Sequence, residues 1–113
     1  MLFRSTGKPL REFLHVDDLA SAAVFLMRNY SGAMSVNIGT GEEISISALA
    51  SLVAETVGYS GRIVHDTAKP DGTPRKLLDI TRLLALGWKP AIALHEGLRS
   101  TYDWYLKSGI RPA

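Results

Sequence analysis

Helical and β-prone stretches alternate along this chain and predict an α/β fold. Three observations carry that reading. Apolar residues recur at helical spacing in four places, such as Leu19, Ala22, Ala23, Leu26 and Met27 in the first of them. Short β-prone runs fall between these places. Serine, aspartate or glycine stands at most of the predicted boundaries. The 113 residues allow one domain with a modest core. Two or three short strands bury little by themselves, and the first helix is apolar on more than one side. The sequence therefore reads better as the closing part of a larger α/β protein than as a small independent unit.

Taken in order, residues 1–10 are polar and turn-like, with Gly7 and Pro9 as punctuation. Residues 12–16 form a short strand or extended entry. Asp17 or Asp18 then starts a helix that runs to about Asn29, because a carboxylate there can accept from the unpaired N–H groups of the first turn. Residues 34–38 are short and β-prone and predict a buried strand ending in Gly39-Thr40-Gly41. Ser45 or Ser47 caps a second helix to about Val57, which Gly58 ends. Ile63 and Val64 centre another strand over residues 62–65. A loop with two prolines follows at 69–76. A short helix near residues 81–86 stops at Gly87, with Trp88 as an anchor, and a last helix spans about 93–107. The tail 108–113 reads as a frayed end.

Composition excludes several classes of function. Cysteine is absent, so disulfides and thiolate metal sites are out. The three histidines have no metal-ligand spacing. No apolar run reaches the ~18 residues of a membrane span, and the first residues do not build a signal peptide. A net charge of +2 does not argue for nucleic acid, and aromatic residues do not interleave with bases as a single-strand platform requires. Trp88, Trp104, Tyr102, Tyr105 and Phe13 read as core or domain contacts.

The distribution of charge says more than its sum. Arg4, Lys8 and Arg11 cluster near the start, and Lys69, Arg75 and Lys76 cluster in the proline-rich loop. Brought together, they would hold a compact anion such as a diphosphate. Scattered solvated charges are the plainer alternative. Arg11, Arg75 and Lys76 are the anion-binding candidates. Asp71 either accepts from a ligand or makes an Asx turn ahead of Gly72. His15 reads as a structural group in a buried turn or as a lining residue of a site. No catalytic set is legible: the chain lacks a Gly-x-Gly-x-x-Gly fingerprint, a Tyr-x-x-x-Lys pair and a Gly-x-Ser-x-Gly elbow.

At Arg11-Glu12-Phe13-Leu14-His15-Val16-Asp17-Asp18 the sequence resembles the GDP-L-fucose synthase family of extended short-chain dehydrogenase/reductases. The resemblance continues through Asn37 to Gly41 and Gly58 to Arg62. It is strongest at Lys69-Pro70-Asp71-Gly72-Thr73-Pro74-Arg75-Lys76, and Leu86-Gly87-Trp88 and Gly97 to Tyr105 agree too. It implies the C-terminal part of such an enzyme, mostly substrate-binding region with a few strands and four helices. The whole chain, 1–113, would be that portion, with the N-terminal Rossmann domain absent. The implied reaction is 3,5-epimerisation of GDP-4-keto-6-deoxy-D-mannose and NADPH-dependent reduction at C4, in a cytoplasmic homo-oligomer. NADP would belong to the full-length enzyme, not to this part alone.

By the same resemblance Arg11 contacts substrate and Lys76 lies near the nucleotide diphosphate. Asp71 and Arg62 belong to the nucleotide-side pocket; Arg75 joins the substrate-binding group on its place in the basic cluster, not on the resemblance. The catalytic residues of the family all belong upstream. The family usually has tryptophan where this chain has Arg4. Two rival readings remain open at this stage: a non-enzymatic module that docks on a protein partner, and an inactive fragment that binds a sugar nucleotide.

Overall fold

The computed structural model describes residues 1–110. Five short strands and four helices follow one another as β1 (Leu2–Arg4), β2 (Leu10–Arg11), α1 (Val16–Asn29), β3 (Ile44–Ser45), α2 (Ile46–Val57), β4 (Val64–Asp66), β5 (Arg75–Lys76), α3 (Thr81–Leu86) and α4 (Leu94–Lys107). The expected α/β architecture, with four helices and few strands, is the one observed. Residues 111–113 of the expected frayed tail lie outside the described residues.

The strands form two small sheets. β1 pairs in parallel with β4, Arg4 opposite Asp66. β2 is the middle strand of the other sheet, antiparallel to β3 and parallel to β5. Three of these strands fall where the sequence reads as turn or loop. β1, β3 and β5 carry no alternating pattern of their own, and each exists because a distant segment supplies its ladder. Conversely, the strand expected at residues 34–38 is not a strand. Among the described residues no strand lies beside it, and side chains meet its backbone neighbourhood instead. Arg82 Nη1 donates to the Ser35 carbonyl at 2.9 Å, while Val36 and Ile38 pack on the core. The extended entry at residues 12–16 likewise forms no ladder beyond Arg11.

The helices follow the sequence closely, with one correction at α1. His15, not Asp17 or Asp18, caps that helix: its Nδ1 accepts from the Asp17 N–H at 3.0 Å. Asp17 is largely solvated. Asp18 is buried at 4% exposure and looks away from its own helix. Its Oδ2 accepts from the backbone N–H groups of Ala91 and Ile92 at 3.1 and 2.9 Å, fixing the turn that leads into α4. A buried carboxylate facing two orphan donors is a strong tether, since neither side has another partner.

The expectations hold elsewhere. Ser45 Oγ accepts from the Ala48 N–H and starts α2, and Gly58 ends it. Gly87 ends α3 as expected; that helix starts after Ile80 with no side-chain cap, and just before it Asp79 accepts from the Thr81 N–H and hydroxyl. Those bonds, the hydroxyl foremost, hold the Asp79 carboxyl below the usual carboxylate range.

The core is small. Ala22 of α1, Leu83 of α3 and Trp88 form its centre, flanked by Leu14, Phe25, Leu26, Val36 and Ile38. Trp88 Nε1 donates to Ser21 Oγ at 3.2 Å, which satisfies the indole without water. Tyr102 and Tyr105 are half-buried, whereas Trp104 and Phe13 are exposed and so depart from a core reading. One face of α1 has no cover: Val16, Leu19, Ala20, Ala23, Val24 and Met27 are all exposed, Met27 at 84%. The two-sided character seen in the sequence is therefore real, but only one side is packed.

Candidate anion-binding site

The sheet β3-β2-β5 brings the two basic clusters together. In the parallel register of β2 and β5, Arg11 stands opposite Lys76 and Leu10 opposite Arg75. Aligned residues of neighbouring strands share a face, and successive residues alternate. Arg11 and Lys76 therefore lie on one face, and Arg75 on the other.

The guanidinium of Arg11 is held before any ligand arrives. Its Nη1 donates to the Leu10 carbonyl at 2.6 Å and to the Thr73 carbonyl at 2.7 Å. Both hydrogens of that nitrogen are thus used. The Nη2 and Nε edge is left for a two-pronged contact with a phosphoryl group. Lys76 is exposed and donates to no side chain or carbonyl among the described residues. A directional fork beside a mobile point charge suits a diphosphate, which offers oxygens at more than one angle.

Asp71 and Arg75 have other work in this structure. Asp71 accepts from the Thr6 N–H and the Thr6 hydroxyl, both at 2.8 Å, and so clamps loop 69–76 to the turn at residues 5–8. These bonds, the backbone one foremost, hold its carboxyl below the usual carboxylate range. The expected Asx turn into Gly72 is not what the carboxylate does. Arg75 makes a bidentate pair with Glu43, Nε to Oε2 and Nη2 to Oε1, each at 2.8 Å. Arg62 precedes β4, in the other sheet from Arg11 and Lys76.

Two acidic residues, Glu12 near the site and Glu43 on the reverse face of its sheet, have partners that the sequence reading does not anticipate. Glu12 accepts from the Gly41 N–H at 2.7 Å, and a Cβ at Gly39 would stand 2.7 Å from its Oε1. The close approach that the glycines permit is thus made by the protein's own carboxylate. The sequence signal was present, since Glu12 adjoins Arg11 and a glycine turn offers N–H groups to an anion. Glu43 gave no such signal, because its pairing with Arg75 depends on strand register.

His15 has a structural position. Its Nε2 lies 3.2 Å from Ser100 Oγ, and that hydroxyl donates to the Gly97 carbonyl. With Nδ1 accepting from Asp17, the ring proton belongs on Nε2, so the ring links the start of α1 to α4. No group of three or more potential metal ligands occurs among the described residues. No described helix is long and apolar enough to cross a membrane.

The model of the NAD dependent epimerase/dehydratase family matches residues 1–39 of this chain. Over most of its length the chain is similar to GDP-L-fucose synthases, and its fold matches the C-terminal part of such structures. It is 60% identical over 103 residues to GDP-L-fucose synthase 1 of Arabidopsis thaliana, covering 91% of this chain and 32% of that protein. A GDP-L-fucose synthetase from Naegleria fowleri bound to NADP superposes with a TM-score of 0.89 at 27% identity, over 95% of this chain and 34% of the other. A GDP-6-OMe-4-keto-L-xylo-heptose reductase from C. jejuni superposes with a TM-score of 0.88 at 38% identity, over 96% and 34%. The chain spans about a third of the length of the curated relatives it matches.

Proposed function

We propose that this chain is the substrate-binding portion, residues 1–113, of a GDP-L-fucose synthase. In the complete enzyme GDP-4-keto-6-deoxy-D-mannose is epimerised at C3 and C5 and reduced at C4. This chain's part is to bind and orient the GDP-sugar. The observation that carries the reading is the register of β2 and β5, which sets Arg11 beside Lys76 on one face. Arg11 presents its free edge to one phosphoryl group, and Lys76 neutralises the other. Binding energy from this remote part of the substrate would then hold the sugar still for chemistry elsewhere.

The reaction machinery comes from outside this chain. NADP supplies the hydride in the complete enzyme, but the residues present do not fit it. The glycine turn at residues 39–41 is filled by the Glu12 carboxylate, whose charge repels a pyrophosphate. We assign no cofactor contact to this chain. The uncovered face of α1 suits packing against a Rossmann domain lying N-terminal to this part in the complete polypeptide. We place that assembly in the cytoplasm as a homo-oligomer. Arg62 and Asp71 border the nucleotide side, Asp71 through the clamp on Thr6.

Calorimetry with GDP tests the reading. Wild type should bind, and an Arg11→Ala, Lys76→Ala double substitution should lose about 2–4 kcal/mol, since two charge-assisted contacts are removed. Equal affinities would defeat the assignment.

A further inference from the structure

The Glu43–Arg75 pair lies on the sheet face opposite the proposed anion site, yet its position ties it to that site. Glu43 immediately precedes β3, and Arg75 is the first residue of β5. The two strands are not neighbours; β2 lies between them. The bidentate contact therefore crosses the central strand and draws both edges towards it. The segment leading into β5 is also held by the Thr6–Asp71 clamp and by the Arg11 bond to the Thr73 carbonyl, but these act before Arg75 and Lys76. β5 is two residues long, both exposed, and the Pro74 carbonyl just before it accepts from the Leu10 N–H of β2 at 2.9 Å. The Glu43 side chain is 19% exposed and that of Arg75 62%, so the pair is screened from one side only. Two parallel N–H···O bonds fix a geometry that a single contact would not.

We propose that Glu43 is a positioning residue for the anion site: through Arg75 it sets β5 against β2 and so holds Lys76 beside Arg11. It also engages Arg75 on the reverse face, where alternation puts it, and cancels its charge. The site then offers the ligand two cations, one for each phosphoryl group of a diphosphate diester. This inference rests on the proposed GDP-sugar reading and adds to it a residue that touches no ligand.

The sign of one substitution separates this role from direct binding by Arg75. Glu43→Gln loosens the strut, so GDP should bind about three- to fivefold more weakly, the size expected for a well-aligned pair of this exposure. Were Arg75 instead a ligand group held in reserve, the same change would release it and GDP would bind more tightly. The charge-reversed double variant, Glu43→Arg with Arg75→Glu, should recover most of the lost affinity. Amide exchange at Lys76 should quicken in Glu43→Gln and slow again in the double variant. Circular dichroism identifies any variant that has simply unfolded, and in that case the charge-reversed pair alone decides. Tighter or unchanged binding in Glu43→Gln, or no recovery in the charge-reversed pair, overturns the inference. If wild type does not bind GDP at all, the underlying reading fails and this inference with it. If wild type binds and the Arg11→Ala, Lys76→Ala variant does not, a failure at Glu43 concerns the strut alone.

Discussion

Replacing Asp18 by alanine should destabilise the chain far more than any other single acidic substitution in α1. The carboxylate is 4% exposed and takes the N–H groups of Ala91 and Ile92 on one oxygen. Truncation leaves two backbone donors without their protein acceptor. Each such donor costs about 1–3 kcal/mol, and part of the loss is offset because burying the carboxylate itself was unfavourable. A net loss of roughly 2–4 kcal/mol follows. For a chain of this length that lowers the melting midpoint by about 8–16 °C. Asp18→Asn keeps one acceptor oxygen and should cost about half as much. Asp17→Ala removes a solvated carboxylate and should cost less than ~0.5 kcal/mol. Thermal and urea unfolding by circular dichroism would read all three. Equal costs at positions 17 and 18, or a loss at Asp18 below ~1 kcal/mol, would refute the view that this side chain fastens α4 to α1.

Two further outcomes follow from the same geometry. The Asp71 carboxyl is held below the usual carboxylate range by Thr6, so the Thr6–Asp71 clamp is fully present above the ordinary aspartate value of about 3.9 and is lost as pH falls through the lower folded value. A carbon-detected titration should place its midpoint below that of a free aspartate, and Thr6→Ala should raise it; an unchanged midpoint in Thr6→Ala would contradict the clamp. Gly7→Ala should cost more than Gly58→Ala. Both residues have positive φ, but a Cβ at Gly7 would stand 2.5 Å from His65 Cε1, whereas at Gly58 nothing lies within 4 Å. Left-handed strain alone is worth about 1–2 kcal/mol, so Gly58→Ala should stop there and Gly7→Ala should exceed it. Equal melting midpoints would show that the His65 ring yields freely.

The helices were legible in the sequence because their signals are local. Ser45 before an apolar stripe, Gly58 and Gly87 after one, and a continuous three-to-four spacing each report on a few neighbouring residues. Among the strands, β4 overlaps the stretch expected at residues 62–65, whereas the two-residue strands have no period to read. β5 is a strand only because Leu10 and Arg11 lie beside it. Residues 34–38 have a strand's composition, yet no strand among the described residues pairs with them, so composition alone misleads there.

The site divides along the same line. That Arg11 and Lys76 approach one another follows from two recognisable motifs, but that Arg75 does not join them follows from alternation across a register no motif records. Asp18 shows the limit of capping rules. A carboxylate at a helix start satisfies the sequence pattern, while burial and the N–H groups of residues 91 and 92 decide its actual partner. His15 took the capping position because its Nδ1 reaches the Asp17 N–H from just outside the helix.

A crystal structure of the chain with GDP would test the central claim most directly. The account predicts the diphosphate on the Arg11 and Lys76 face, with a phosphoryl oxygen within hydrogen-bond distance of the Arg11 Nη2 and Nε edge and another beside the Lys76 ammonium. Nucleotide bound on the Arg75 face, or away from the β2–β5 ladder altogether, would contradict it.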